Sequence, residues 1–95
     1  IMRFAGLFTS TRLGKKYMIR FEDPDRVIHF GSDVSKTFLD HGDKIKRENY
    51  IKRHETNEDW SKVNAGSLSR FLLWGNSTSL RENLDDYLIK FNIKR

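Results

Sequence analysis

Basic side chains concentrate in two parts of this chain, and the chemistry they suit is the neutralisation of phosphate charge. One group lies at the approach to a predicted strand and within it, and the other lies on a predicted helix. The members are Arg12, Lys15, Lys16 and Arg20 in the first group and Lys44, Lys46, Arg47, Lys52 and Arg53 in the second. Lys and Arg on a shared surface release counterions from a polyanion, which gives salt-dependent and mostly sequence-independent binding. If the strand packs near the helix, the two groups form one positive surface.

The overall charge permits two interpretations of these residues. The net charge is +5 and the isoelectric point is near 9.7, which favours a polyanionic partner. A net charge of about 2–8 is also ordinary for a small domain. In the second interpretation the helix presents a solvated face, balanced by Asp43, Glu48 and Glu55.

Three histidines, His29, His41 and His54, are candidates for metal binding or for a structural role, and the sequence leaves the choice open. With Asp43 they supply the nitrogen and oxygen ligands that metals use, but their spacing repeats no known site. The chain has no cysteine, Gly-rich phosphate loop or G-x-S-x-G elbow. We therefore predict no catalytic residues, no metal and no cofactor. A small metal-dependent nuclease built from His and Asp is the remaining enzymatic hypothesis.

The length and hydropathy of the chain predict one small domain. Its 95 residues are few enough for a single core. No apolar run approaches the roughly 18 residues of a membrane span, and Phe4 to Phe8 is too short for a signal peptide. We expect a non-secreted protein with no membrane span, in which residues 1–14 form an N-terminal arm and residues 15–95 form the domain.

The patterning within residues 15–95 predicts an α+β fold. Residues 15–22 alternate in polarity, Asp23 to Asp25 is typical of a turn, and residues 26–30 are rich in β-branched and aromatic types, which together indicate an antiparallel hairpin. A short third strand is possible at 37–39. Three helices should cover the hairpin, at 43–54 with Asp43 as N-cap, at 65–74 ending before Gly75, and from the capping box at Ser79 through the apolar stripe that ends at Phe91.

The combination of short motifs along the chain resembles a family of small uncharacterised basic proteins of giant DNA viruses of algae and protists. The motifs are Ser10…Arg12…Lys15-Lys16, His29-Phe30-Gly31, His41-x-Asp43, Arg47-x-x-Tyr50-x-x-Arg53-His54, Glu58…Trp60, Ala65-Gly66…Ser69, Leu73-Trp74, Ser79-Leu80, Tyr87 and Phe91. The resemblance implies a viral source and a location in the virion or inside the host cell, in the virus factory, cytoplasm or nucleus. It supplies no activity and no catalytic residue.

The leading hypothesis from the sequence is a non-enzymatic viral accessory protein that binds nucleic acid through its basic surface. DNA is the nucleic acid that we expect. The alternative is a small virion structural protein, a minor capsid or core component, that contacts other virion proteins. In that case Phe4, Leu7 and Phe8 of the arm and the basic tail Ile93–Arg95 would be docking elements. Neither hypothesis includes a small-molecule substrate.

Overall fold

The computed structural model describes residues 1–95 and shows the predicted α+β fold, a three-stranded antiparallel sheet followed by helices. The strands are β1 (Arg3–Thr9), β2 (Lys15–Glu22) and β3 (Arg26–Ser32), and the helices are α1 (Phe38–His41), α2 (Lys44–His54), α3 (Ala65–Leu68), which continues as a π-helical segment (Ser69–Leu73), and α4 (Leu80–Lys90). The strand order is β1-β2-β3, so each strand pairs with its neighbour in sequence.

The predicted hairpin forms as expected, with Tyr17 opposite Phe30 and Ile19 opposite Ile28. The prediction of an N-terminal arm was wrong, because residues 3–9 are the first strand of the sheet and pair with β2. An irregularity between Phe4 and Gly6 shifts the register of this strand. A bulge of this kind breaks the two-residue alternation by which a strand is recognised in a sequence.

The third strand of the sheet is therefore β1, and the possible strand at 37–39 does not form. Those residues instead lead into α1, which has a capping box between Thr37 and Asp40 and ends at Gly42 in the left-handed conformation (φ 61°). The three predicted helices are present, and Asp43 caps α2 by accepting hydrogen bonds from the backbone N–H groups of Ile45 and Lys46.

One face of the sheet packs against the helices and forms the core. Ile19, Phe21 and Phe30 of the sheet are fully buried with Leu68 and Leu72. The remaining members of this cluster come from the π-helical segment, α4 and the C-terminus, and are Leu73, Leu84, Tyr87, Leu88 and Ile93. No helix is long and apolar enough to cross a membrane.

The C-terminal residues are part of the fold and do not form a free basic tail. Ile93 is 7% exposed, and Arg95 pairs with Asp85. The backbone of Lys94 exchanges hydrogen bonds with Met2 and Phe4, so the C-terminus lies beside β1. Phe4 and Leu7 pack against the core, and of the three predicted docking residues of the arm only Phe8 is exposed, at 48%.

Candidate nucleic-acid interface

A cleft of about 630 Å³ lies between α2, the end of β3 with the loop that follows it, and the α3 region. Four basic side chains line it, and we call it the basic cleft. They are Lys15, Lys36, Lys46 and Arg53. Glu58 is the one acidic residue in the lining. The cleft is therefore a concave surface with an excess of positive charge.

The helical repeat of α2 brings two of these side chains to the cleft. Lys46 and Arg53 are seven residues apart, which is close to two turns, so both project from the same side of the helix. Asn49 lies between them and also lines the cleft. Asp43 fixes the first turn of this helix, and therefore the position of Lys46, through its capping hydrogen bonds.

The other two basic residues come from the sheet and the loop beside it. Lys15 begins β2 and pairs with Ser32 at the end of β3. Lys36 follows in the loop that leads from β3 to α1. All four basic side chains are exposed, and none takes part in an ion pair or a hydrogen bond within the chain. Their charge is available to an external anion.

Aromatic rings form one wall of the cleft. Tyr50 lies between Trp74 and His54, with ring centroids 4.5 Å and 4.2 Å away, and it is nearly parallel to Trp74 at 6°. His41 packs against the indole of Trp74, with 5.4 Å between the two ring centroids. Burial raises the pKa of the Tyr50 hydroxyl above its ordinary value, and the nearby Glu58 carboxylate raises it further. The hydroxyl therefore stays protonated at neutral pH, and the stack serves as a rigid support for α2.

A hydrogen bond from a neighbouring tryptophan holds Glu58 in place. Its carboxylate accepts a hydrogen bond from the indole N–H of Trp60 at 2.8 Å. A side chain at Gly66 would lie 3.3 Å from the Glu58 carboxyl carbon, so the small residue makes room for the carboxylate. Trp60 is half-buried, with its ring edge-on to Phe71 at 6.4 Å. The connection 55–63 thus folds back toward the core through Trp60.

The structure gathers some of the predicted nucleic-acid ligands and separates others. Lys15, Lys46 and Arg53 meet in the basic cleft. Lys44 and Lys52 are exposed on α2 but outside the cleft lining. Lys36 is a cleft residue that the sequence analysis missed, because it lies in a loop with no local pattern to mark it.

Two predicted ligands occupy other positions for clear physical reasons. Arg20 alternates with the buried Ile19 and Phe21, so its side chain projects from the face of the sheet opposite the core. Lys16 donates to the Ser35 carbonyl at 2.8 Å and lies 3.9 Å from the Asp40 carboxylate. Lys16 therefore holds the 32–37 loop against the sheet.

Arg47, which was predicted as a ligand, has a structural role in the fold. Its Nε donates to the carbonyl oxygens of Trp74 and Gly75 at 3.1 and 2.8 Å, and its Nη2 donates to Asn76. The guanidinium also lies over the Phe38 ring at 5.7 Å. These contacts tie α2 to the end of the π-helical segment, and Arg47 does not line the basic cleft.

A second, shallow groove lies at the turn between β1 and β2, and we call it the tip groove. Its lining is Thr9, Ser10, Thr11, Arg12, Leu13, Lys15, Lys16 and Asp33. Lys15 lines both this groove and the basic cleft. The two surfaces are therefore continuous, and Arg12 extends the positive surface to the end of the sheet.

The histidines have structural partners. His29 shares a hydrogen bond with the Ser10 hydroxyl at 2.7 Å, His41 Nδ1 accepts from the Asp43 backbone N–H, and His54 Nδ1 donates to the Tyr50 carbonyl. No group of three or more His, Asp or Glu side chains is placed to hold a metal ion. This arrangement gives the nuclease hypothesis no support.

Residues 6–54 match the model of a family of unknown function, DUF5754. The chain belongs to this family. The matched segment runs from β1 to the end of α2, and it contains all four basic cleft residues and the whole tip groove. No curated protein and no solved structure shows significant similarity to the chain.

Proposed function

We propose that this protein is a non-enzymatic nucleic-acid-binding protein and that the nucleic acid it binds is DNA. The observation that carries the proposal is the set of four unpaired basic side chains on the basic cleft. They face a single carboxylate there, and the positive surface continues through Lys15 to the tip groove. Backbone phosphates supply the repeated negative charge that such a surface neutralises.

The size of the molecule fits a short site on a duplex. Its longest dimension is 37 Å, and one turn of B-DNA is about 34–36 Å long. The protein therefore covers about one helical turn. Long basic side chains on a concave surface contact mainly the phosphate backbone, which predicts weak dependence on base sequence.

A small virion structural protein is the second candidate, and one observation favours it. The face of the sheet opposite the core has no helix on it and exposes Phe8 at 48% and Val27 at 52%. An uncovered sheet face with apolar side chains suits contact with another protein. The viral source predicted from the family resemblance belongs to this proposal. Finding the chain at stoichiometric amounts in purified virions would support this candidate.

The test of nucleic-acid binding compares two charge-reversal variants of the same helix. Lys46→Glu/Arg53→Glu changes the basic cleft, and Lys44→Glu/Lys52→Glu makes the same change of charge on α2 outside the cleft. Fluorescence anisotropy with a labelled duplex of about 20 base pairs, a single strand and an RNA duplex measures the affinities at low salt. Circular dichroism confirms that both variants are folded.

We expect both variants to bind the duplex more weakly than the unaltered protein. The affinity of the cleft variant should be at least tenfold lower than that of its control. Equal losses would show that only the net charge matters and that the cleft is not the site. Absence of binding by the unaltered protein at about 50 mM salt would refute the proposal, since phosphate contacts are strongest there.

A further inference from the structure

The turn between β1 and β2 carries a leucine that has no role within the fold. Leu13 is 98% exposed, the highest value among the large hydrophobic side chains of the chain. It lies between the strands in the segment Ser10–Gly14, at the end of the sheet. Its side chain contributes little to the stability of the fold, so it is available for a contact outside the chain.

Hydrogen bonds constrain the backbone of the turn, although its leucine is exposed. Ser10 Oγ accepts from the backbone N–H of Arg12 at 3.0 Å, and the N–H of Lys15 donates to the Arg12 carbonyl at 3.2 Å. Gly14 has φ +85°, a conformation that residues with side chains rarely adopt. These contacts fix the backbone on both sides of Leu13, so an external partner need not order the turn when it binds.

Positive charge surrounds the leucine. Arg12, Lys15 and Lys16 line the tip groove with it, and Asp33 is the one acid there. The N–H of Asp33 donates to the Gly14 carbonyl at 3.2 Å, which places the exposed Val34 in the turn beside the tip. An apolar point inside a basic rim is complementary to a surface with phosphates at its edges and stacked bases between them.

We propose that the tip of the β1–β2 hairpin enters the minor groove of duplex DNA, where Leu13 acts as a wedge at a base step while Arg12 and Lys15 contact the flanking phosphates. Proteins that bind the minor groove use single apolar side chains in this way, and the wedge unstacks the step and kinks the duplex. The inference rests on the proposed nucleic-acid binding and adds the groove, the mode of contact and a deformation of the DNA.

A lipid surface is the other partner that a basic and apolar tip could meet, and the geometry favours DNA. Leu13 contributes only about 1.5–3 kcal/mol on full burial. Even with Val34 beside it, the tip offers far less apolar surface than the lipid chain that anchors a protein together with a basic patch. A wedge in DNA needs only one side chain. The tip is also continuous with the basic cleft through Lys15, so both would lie along one phosphate backbone.

The test compares Leu13→Ala with Ile89→Ala. Ile89 is 80% exposed on α4, which contributes nothing to the basic cleft or the tip groove, so it controls for the loss of an exposed aliphatic side chain. Two readouts are used with each protein. One is energy transfer between the labelled ends of a duplex of about 25 base pairs, which reports bending, and the other is the fluorescence of a 2-aminopurine base at a central TA step, which reports unstacking.

The unaltered protein and Ile89→Ala should bend the duplex and raise the 2-aminopurine signal. Leu13→Ala should lose both effects and bind a TA-containing duplex about tenfold more weakly, yet keep the salt dependence that the basic side chains supply. It should also lose any preference for TA-containing duplexes over stiff A-tracts, because flexible steps are the easiest to kink.

Several outcomes would overturn the wedge. If the unaltered protein binds DNA without bending or unstacking it, or if Leu13→Ala behaves as the unaltered protein does, the wedge is wrong and the proposed function stands. If the unaltered protein binds no DNA, both fall. If Leu13→Ala loses binding to vesicles of phosphatidylserine and phosphatidylcholine but not to DNA, the tip is a membrane contact.

Discussion

Two neighbouring residues on α2 have different roles. One holds the helix in the fold, and the other is proposed to bind phosphate. Both were predicted as phosphate ligands. Lys46 is exposed in the basic cleft with no partner, whereas Arg47 donates to the Trp74 and Gly75 carbonyls and to Asn76. Replacing each by methionine removes the charge and keeps an unbranched side chain. We expect Arg47→Met to lose stability with little effect on phosphate contacts, and Lys46→Met to do the reverse.

The magnitude follows from what the Arg47 side chain leaves behind. The Trp74 carbonyl still accepts from Nη1 of Arg70 at 2.8 Å, so it keeps a partner. The Gly75 carbonyl loses its charged donor in a residue that is buried. An unsatisfied buried acceptor costs about 1–3 kcal/mol, so Arg47→Met should lower the free energy of unfolding by about 2 kcal/mol. For a domain of this size the melting temperature should fall by about 8–16 °C.

Urea unfolding followed by tryptophan fluorescence measures the stability, because Trp74 stacks on Tyr50 beside the Arg47 contacts. Lys46→Met should stay within about 0.5 kcal/mol of the unaltered protein, as exposed substitutions do. Its binding to duplex DNA should lose one phosphate contact, which lowers the slope of log K against log salt by about 0.9. If Arg47→Met keeps full stability and loses the slope instead, Arg47 is a phosphate ligand and the structural role is wrong.

Three further substitutions test other parts of the structure. Gly31→Ala should destabilise the protein by about 1–3 kcal/mol, because Gly31 has φ +79° and an added Cβ would lie 2.8 Å from Leu73 Cδ1. Thermal unfolding will show whether the site tolerates a side chain. Asp43→Ala should cost about 1 kcal/mol by removing the N-cap of α2, and an unchanged melting temperature would contradict the capping assignment. Burial raises the pKa of Tyr87 to about 12, so the native state keeps a proton that the unfolded chain releases above about pH 10. The melting temperature should therefore fall between about pH 10 and 12, and Tyr87→Phe should reduce that fall.

The elements that were predicted correctly are those with a complete local signal. Polarity alternates through β2, Asp43 precedes α2 as an N-cap, and Ser79 accepts from the Glu82 N–H at the start of α4. Each of these signals depends on residues within one turn or one strand. For that reason the tertiary packing of the domain does not override them.

The elements that were missed have signals that the tertiary structure overrides. The bulge between Phe4 and Gly6 hides the alternation of β1, so residues 3–9 resemble an irregular arm. Thr37-Phe38-Leu39 has strand-forming residues, but the capping box of Thr37 with Asp40 and the left-handed Gly42 make it a short helix. The π-helical turn at 69–73, closed by a hydrogen bond from the Trp74 N–H to the Ser69 carbonyl, has no sequence signal that could be recognised.

The candidate site was only partly predictable for the same reason. The spacing of Lys46 and Arg53 is visible on a helical projection, but their meeting with Lys15 and Lys36 depends on how α2 packs beside the sheet. The roles of Arg47 and Lys16 depend on carbonyl groups far away in the sequence or in a neighbouring loop. A count of basic residues cannot separate such side chains from those that are free to bind a partner.

The salt dependence of DNA binding by the unaltered protein tests the central claim most directly. The affinity for a duplex of about 20 base pairs is measured from about 50 to 200 mM NaCl. Four phosphate contacts from Lys15, Lys36, Lys46 and Arg53 predict a slope of log K against log salt of about −3.6, which weakens binding about 150-fold over this range, and a contact from Arg12 at the tip would make the slope steeper. No binding at the lowest salt, or a slope near zero, would contradict the account.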